Sequence, residues 1–301
     1  MTEKETIMTF DYISDIHLDF HCKQYSITHR NFYKDIDAFA TSILPEQPSS
    51  TLLIAGDLGH RFEQDSYLLL KLRETYDNIL LVPGNHDMYL VTASLRARYS
   101  NNSFLRIKEM KDFCSATPGL HYLDGDTVTL DSITYSGCGM SWDKTHYELL
   151  CGDSVSDYEV VSYYKRYLND YRNISCGTAP YTILLPYGQP AVCGDFDPLR
   201  YFNSQYNKLY SVPEADVVLT HYAPLLHPST PEDYRDHLGT SFYYFDGSEI
   251  ISKLKPKVWV FGHTHTPAND LVGDTTYLCN PFGYPKENIG AKIVTYTKED
   301  L

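Results

Sequence analysis

Five strand-like runs in this chain each break off into a small group of Asp, Asn or His residues. That repeated coupling restricts the available folds more than any other feature. "FDYIS" (10–14) leads into Asp15-Ile16-His17, "TLLIA" (51–55) into Gly56-Asp57, and "ILLV" (79–82) into Pro83-Gly84-Asn85-His86-Asp87. Asp216–Thr220 leads into His221, and Lys257–Phe261 into Gly262-His263-Thr264-His265. Short continuous apolar runs belong to strands buried on both faces. Between the first three, Phe32–Leu44 (stopping at Pro45) and Asp65–Tyr76 carry apolar residues at helical spacing. Residues 1–90 therefore predict alternating strands and helices, hence a parallel sheet with right-handed crossovers. In open sheets of this kind ligands gather beyond the carboxyl ends of the strands. All five polar groups are expected on that one edge.

The rest of the chain reads less sharply. Residues 121–138 predict an antiparallel hairpin, and further strands are expected at Thr275–Cys279 and Ala291–Thr297. The stretch 142–210 is rich in tyrosine (Tyr158, Tyr163, Tyr164, Tyr167, Tyr171), with a helix predicted over Val160–Tyr171 and loop-like residues at 175–198. No repeat or linker interrupts the sequence. The expected organisation is one domain over 1–301, with a Tyr-rich insertion or cap at 142–210.

The residue types at the strand ends select a chemistry. Asp15, Asp57, Asn85, His17, His221, His263 and His265 are all ligands for a borderline divalent metal. Asp-x-His and His-x-His place two side chains on the same face if the segment is extended. Glycines before Asp57, Asn85 and His263 leave room for close backbone approach or for positive φ. Each piece alone is an ordinary turn; five of them at five strand ends are not.

Composition narrows the function. With 25 Lys+Arg against 39 Asp+Glu and a formal charge of −14, the chain lacks the broad basic surface of a nucleic-acid binder. Seven scattered cysteines (22, 114, 138, 151, 176, 193 and 279) without CxxC predict buried thiols in a reducing compartment. No apolar run suits a signal peptide or a membrane span, so a cytoplasmic protein is expected, with Met8 as a possible second start.

In this order and over residues 15 to 265, the motifs resemble those of the calcineurin-like metallophosphoesterase superfamily. A weaker likeness, to small prokaryotic and phage phosphohydrolases, rests on Trp142-Asp143 after "GCGMS", Leu168-Asn169-Asp170-Tyr171 and "CNPFGYPKE" (279–287). The resemblance implies an α/β (α+β) fold: a four-layer αββα sandwich of two mixed β-sheets flanked by helices. A dinuclear metal site would lie at the strand C-terminal ends. It implies that Asp15, His17, Asp57 and His265 hold one divalent ion and Asp57, Asn85, His221 and His263 the other, with Asp57 bridging. Mn²⁺ is the first choice, with Fe or Zn²⁺ as alternatives. A hydroxide bridging the ions would attack the phosphate ester, and His86, free of metal, would act as general acid or phosphoryl donor.

One departure stands out. Many relatives carry "GDxxDR", whose second Asp orients the catalytic histidine; here the stretch is "GDLGHR", with His60 in that place. Either another group orients His86 or His60 does. Asp87 is a neighbour whose side chain can point elsewhere. Arg61 is a candidate phosphate contact, and Tyr222, Asn280 and Tyr284 lie in loops suited to line the pocket. The expected activity is a phosphodiesterase or phosphatase acting on small, nucleotide-like phosphate esters. A nuclease, a Ser/Thr-type protein phosphatase and a non-catalytic scaffold are the alternatives.

Overall fold

The computed structural model describes residues 7–152, 154–177, 182–184, 190–192, 196–287 and 292–298. Cys193 and parts of the predicted 175–198 loop lie outside them. Strands are numbered along the chain: β1 Met8–Ile13, β2 Thr51–Ala55, β3 Asn78–Val82, β4 Leu120–Tyr122, β5 Thr127–Leu130, β6 Ile133–Cys138, β7 Thr182–Leu184, β8 Pro190–Val192, β9 Val217–Thr220, β10 Val258–Phe261, β11 Ala268–Val272, β12 Thr275–Cys279 and β13 Val294–Lys298. One sheet has the order β13-β1-β2-β3-β4, the other β11-β12-β10-β9-β6-β5. β7 and β8 pair with each other. Both large sheets are mixed: β1-β2-β3-β4 and β12-β10-β9-β6 run parallel, and β13, β11 and β5 pair antiparallel at the edges.

Alternation along the strands divides the interior into three cores. Phe10, Leu53, Ala55, Leu80 and Val82 of the first sheet meet Tyr135, Val217, Leu219, Val258 and Val260 of the second, forming the layer between the sheets. Their neighbours Leu52, Ile54, Ile79 and Leu81 point outward onto the helices Phe32–Ile43 and Phe62–Leu72, through Phe32, Ile36, Ala40, Leu68 and Leu72. Val218, Trp259, Phe261 and Tyr277 point the other way, onto Val160, Tyr164, Phe202, Leu209 and Ile250. Every central strand thus buries both faces, as its continuous apolar run requires. The four-layer αββα sandwich is the expected one.

Several boundaries differ from the sequence reading: the helix predicted at Asp65–Tyr76 is Phe62–Leu72, and the last strand, expected at Ala291–Thr297, is Val294–Lys298. Residues 120–122 do not open the hairpin; β4 joins the first sheet, parallel to β3. The hairpin is β5–β6, turned by Asp131 and Ser132, both at positive φ (49° and 68°). The predicted helix at Val160–Tyr171 is instead Asp157–Tyr167 followed by a single turn, Asp170–Asn173. Ser156 and Glu159 form a reciprocal cap that starts it earlier. Cys22, Cys114, Cys138 and Cys279 are buried thiols, whereas Cys151, expected to be buried, is exposed. No helix among the described residues is long and apolar enough to cross a membrane.

Candidate metal centre and catalytic cleft

The loops leaving β1, β2, β3, β6, β9 and β10 converge at one edge of the sandwich. They are pinned to one another by backbone bonds that continue the sheets: Asp15 N–H to Gly56 O (3.1 Å), His17 N–H to Asp57 O (2.9 Å), His221 N–H to Gly139 O (3.1 Å) and Gly262 N–H to His221 O (2.9 Å). Asp15 and His17 are not extended here, nor are His263 and His265. Their φ angles are 51°, 45°, 65° and 49°, and that of Asp57 is 57°. The side chains meet because the chain curls out of each strand, not because alternate residues share a face. Gly84 is needed for the closeness of this meeting: a Cβ there would fall 2.0 Å from Asp57 Oδ1.

The donor atoms face one another across short gaps. His17 Nε2 lies 3.2 Å from His265 Nε2 and 3.7 Å from Asp57 Oδ2. His265 Nε2 lies 3.4 Å from Asp15 Oδ1. His221 Nε2 lies 3.4 Å from Asp57 Oδ2 and 3.0 Å from Asn85 Oδ1. The other nitrogen of most of these rings is anchored: His221 Nδ1 to Ala55 O at 2.8 Å, His265 Nδ1 to Glu287 at 2.7 Å, and His263 Nε2 to Phe242 O at 3.2 Å. That pattern leaves Nε2 of His221 and His265, and Nδ1 of His263, as the available nitrogens.

The electrostatics agree. Burial alone would raise the carboxyls of Asp15 and Asp57, but the adjacent His265 and His221 outweigh it and hold both below the usual range. Burial works against the charged imidazoles too, yet these carboxylates push His221 and His265 up to about 9. His263 and His86, where burial dominates, fall to about 3. A buried nest of carboxylates that already draws protons onto its histidines is suited to divalent cations. The set Asp15, His17 and His265 and the set Asp57, Asp15 and His221 each bring three donor atoms within 4.8 Å of one another. The two sets share Asp15, and their donors suit divalent cations. Distance also places His86 with His17 and Asp57 in such a group.

Residues 8–267 match the family model for calcineurin-like phosphoesterases. The chain belongs to that family. It is a metallophosphoesterase, a hydrolase of phosphate esters. A mimivirus protein, uncharacterized protein L509 of Acanthamoeba polyphaga mimivirus, is 23% identical over 253 residues, 78% of this chain and 79% of that one. The phosphopantetheinyl hydrolase of Mycobacterium tuberculosis shares the fold: its TM-score is 0.66 at 18% identity, covering 99% of this chain and 97% of that one.

In this phosphoesterase the place of the usual second Asp is filled by a two-residue chain. His60 Nε2 lies 2.9 Å from His86 Nδ1, and His60 Nδ1 lies 2.7 Å from Asp19 Oδ2. Asp19 also accepts the His60 backbone N–H at 3.2 Å. The Tyr89 ring stacks on both imidazoles, 4.2 Å from His86 and 5.7 Å from His60. His86 Nε2 faces the cleft, 3.2 Å from the Tyr284 hydroxyl, and the Tyr284 ring stacks on His17 at 4.3 Å.

The remaining candidates divide. Asp87 accepts backbone N–H bonds from Gly84 (2.7 Å), Asp57 (2.9 Å) and Leu58 (3.1 Å), so it shapes the loops rather than meeting substrate. Tyr222 is buried behind His263, rings 4.1 Å apart, and does not line the cleft. Asn280 donates to the carbonyls of Tyr12 and Lys292, both at 2.9 Å, and ties strands together. Arg61 precedes the helix Phe62–Leu72 and is not among the described residues lining the cleft.

Four residues escaped the sequence reading. Asp19 and Glu287 anchor His60 and His265. Asp170, within the "LNDY" stretch, accepts the Asn85 amide at 2.8 Å and so turns Asn85 Oδ1 toward His221. Arg106 is buried beneath the His86 loop, donating to Gly59 O (2.6 Å), His86 O (3.0 Å), Asp87 O and Asp65 (3.1 Å). Only "LNDY" and "GYPKE" carried a sequence signal for any of them.

Proposed function

We propose that this protein hydrolyses small, nucleotide-like phosphate esters, as a phosphodiesterase or phosphatase. In this reading Asp15, His17, Asp57 and His265 hold one divalent ion, and Asp57, Asn85, His221 and His263 the second. Mn²⁺ is the first choice and Fe or Zn²⁺ the alternatives, since Asp, Asn and His suit all three. Such ions would supply a nucleophile from water and neutralise the phosphoryl oxygens. The Tyr-rich residues within 142–210 act as the cap over the site, and the protein works in the cytoplasm.

The observation that carries the reading is the Asp19–His60–His86 chain, which ends at the donor cluster. A carboxylate on His60 Nδ1 fixes a proton there. With a second proton on His60 Nε2, shared with His86 Nδ1, neutral His86 must carry its own proton on Nε2, facing the cleft. Delivery to the leaving oxygen is then a two-part shift. The Nε2 proton leaves His86 while the His60 Nε2 proton crosses to His86 Nδ1, and His60 ends neutral. Throughout, His86 carries a single proton, on Nε2 before the transfer and on Nδ1 after it. That suits the burial that keeps His86 itself neutral.

The test is hydrolysis of bis(p-nitrophenyl) phosphate and p-nitrophenyl phosphate after chelation and Mn²⁺ readdition, with His86→Ala alongside. Metal-dependent turnover of both is expected; since p-nitrophenolate needs little protonation, the general-acid loss of about 10²–10⁴ in the variant is expected on a methyl or nucleoside ester run beside them. The preferred ester separates phosphodiesterase from phosphatase. A metal-replete protein inert to both is a scaffold, and the reading fails.

A further inference from the structure

Over the donor cluster opens a cleft of about 730 Å³. Asp57, His86, His263 and His265 form its floor, and two aromatic segments supply its walls. Tyr163 and Tyr167 come from the helix Asp157–Tyr167, with rings 4.5 Å apart; Tyr234, His237 and Tyr243 come from residues 234–243. Phe242 stacks on Tyr163 at 5.6 Å, which joins the two segments. Tyr167 and Tyr234 remain 59% and 60% exposed. Large rings left in solvent at the mouth of a polar cleft are groups awaiting a planar partner.

No Lys or Arg is among the described residues that line the cleft, and the undescribed stretches inside the chain (153, 178–181, 185–189, 193–195 and 288–291) contain neither. The charged groups that do line it away from the histidines are the carboxylates Asp57, Asp170 and Glu287. Proteins that hold polyphosphates or nucleic acid do so with Arg and Lys against each phosphate. Here a second phosphoryl group, beyond the one at the floor, would meet tyrosine rings and carboxylates.

We infer that the cleft selects esters in which one phosphoryl group is joined to a neutral, planar organic body, and that it discriminates against polyphosphates and nucleic acid. The inference rests on the phosphoesterase reading above and narrows it: one phosphate at the floor, one stacking moiety between the tyrosines.

Non-hydrolysable probes test it by calorimetry on the Mn²⁺-loaded protein, with free Mn²⁺ held constant. Phenylphosphonate is expected to bind at least about tenfold more tightly than methylphosphonate, the worth of one ring stacked on an aromatic side chain. Tripolyphosphate and a thymidine pentanucleotide are expected to bind no more tightly than methylphosphonate. The ring preference should shrink in Tyr163→Ala and in Tyr234→Ala, the latter exposed enough to spare the fold. It should persist in Tyr158→Ala, which lies on the same helix, 81% exposed and outside the cleft. Tighter binding of tripolyphosphate or the oligonucleotide, or no preference for the ring, overturns the inference. Turnover of bis(p-nitrophenyl) phosphate is followed on the same preparation. Expected binding without turnover sinks the enzymatic reading and leaves the cleft's selectivity standing, while turnover with the reverse binding order does the opposite.

Discussion

Removing the anchor behind His86 should hurt reactions in proportion to how badly the leaving group needs a proton. His60 makes two buried contacts, 2.7 Å to Asp19 and 2.9 Å to His86. A hydrogen bond to a charged group contributes about 1.5–3 kcal/mol, so its loss in the transition state costs about tenfold to a hundredfold in rate. p-Nitrophenolate leaves as a stable anion and draws little on a general acid; an alkoxide draws on it fully. In Asp19→Asn and His60→Asn the loss of kcat is therefore expected to approach about a hundredfold for a methyl or nucleoside ester and to stay within a few-fold for p-nitrophenyl esters. The assay is kcat across a leaving-group series, with thermal melting to confirm the fold. Equal losses across the series would refute the relay and reduce His60 to a packing residue. Asp19→Glu, which returns a carboxylate, should recover part of the alkoxide activity and none of any purely steric loss.

Other consequences follow from neighbouring contacts. Glu287→Gln removes the charge that orients His265 through Nδ1, so metal affinity should fall about 10–100-fold in a competition titration with a chelator. Arg106→Met leaves Asp65 buried without its partner, 3.1 Å away in the native protein, and is expected to cost about 3–5 kcal/mol in chemical denaturation. The native protein should melt higher as Mn²⁺ is added, by the equivalent of about 2.7 kcal/mol at a hundred times the dissociation constant. Asp57→Asn, which removes a carboxylate from the donor cluster, should show a much smaller rise.

The parts of this molecule legible in sequence are those where one short segment carries the whole signal. "TLLIA" and "ILLV" are apolar on both faces, and only a central strand buries both. The polar residues after them had to emerge at one edge. What could not be read depends on where distant segments meet. Asp19 is two residues beyond His17, yet its role exists only because the β2 loop brings His60 against it. Nothing in "HYLDG" distinguishes a hairpin arm from a second parallel partner for β3; the neighbour's free edge decides. Asn280 resembled a pocket residue because it follows a strand end, but it follows β12, and its amide is used up on two carbonyls. Asp15 and His17, and His263 and His265, are brought together by left-handed turns that periodicity arguments cannot see.

Those left-handed turns limit which residues can replace the donors of the cluster. Asp15, His17, Asp57, His263 and His265 all occupy a backbone region that non-glycine residues visit at a cost, and that Asn and Asp tolerate best. The bend accepts Gly, Asn and Asp and disfavours β-branched side chains. A descendant that abandoned catalysis would keep its sandwich with Gly or Asn at these positions and would lose it with Val or Ile. The backbone therefore restricts the replacements open to each ligand before any chemistry is tested, and decay of the site would proceed along that narrow list.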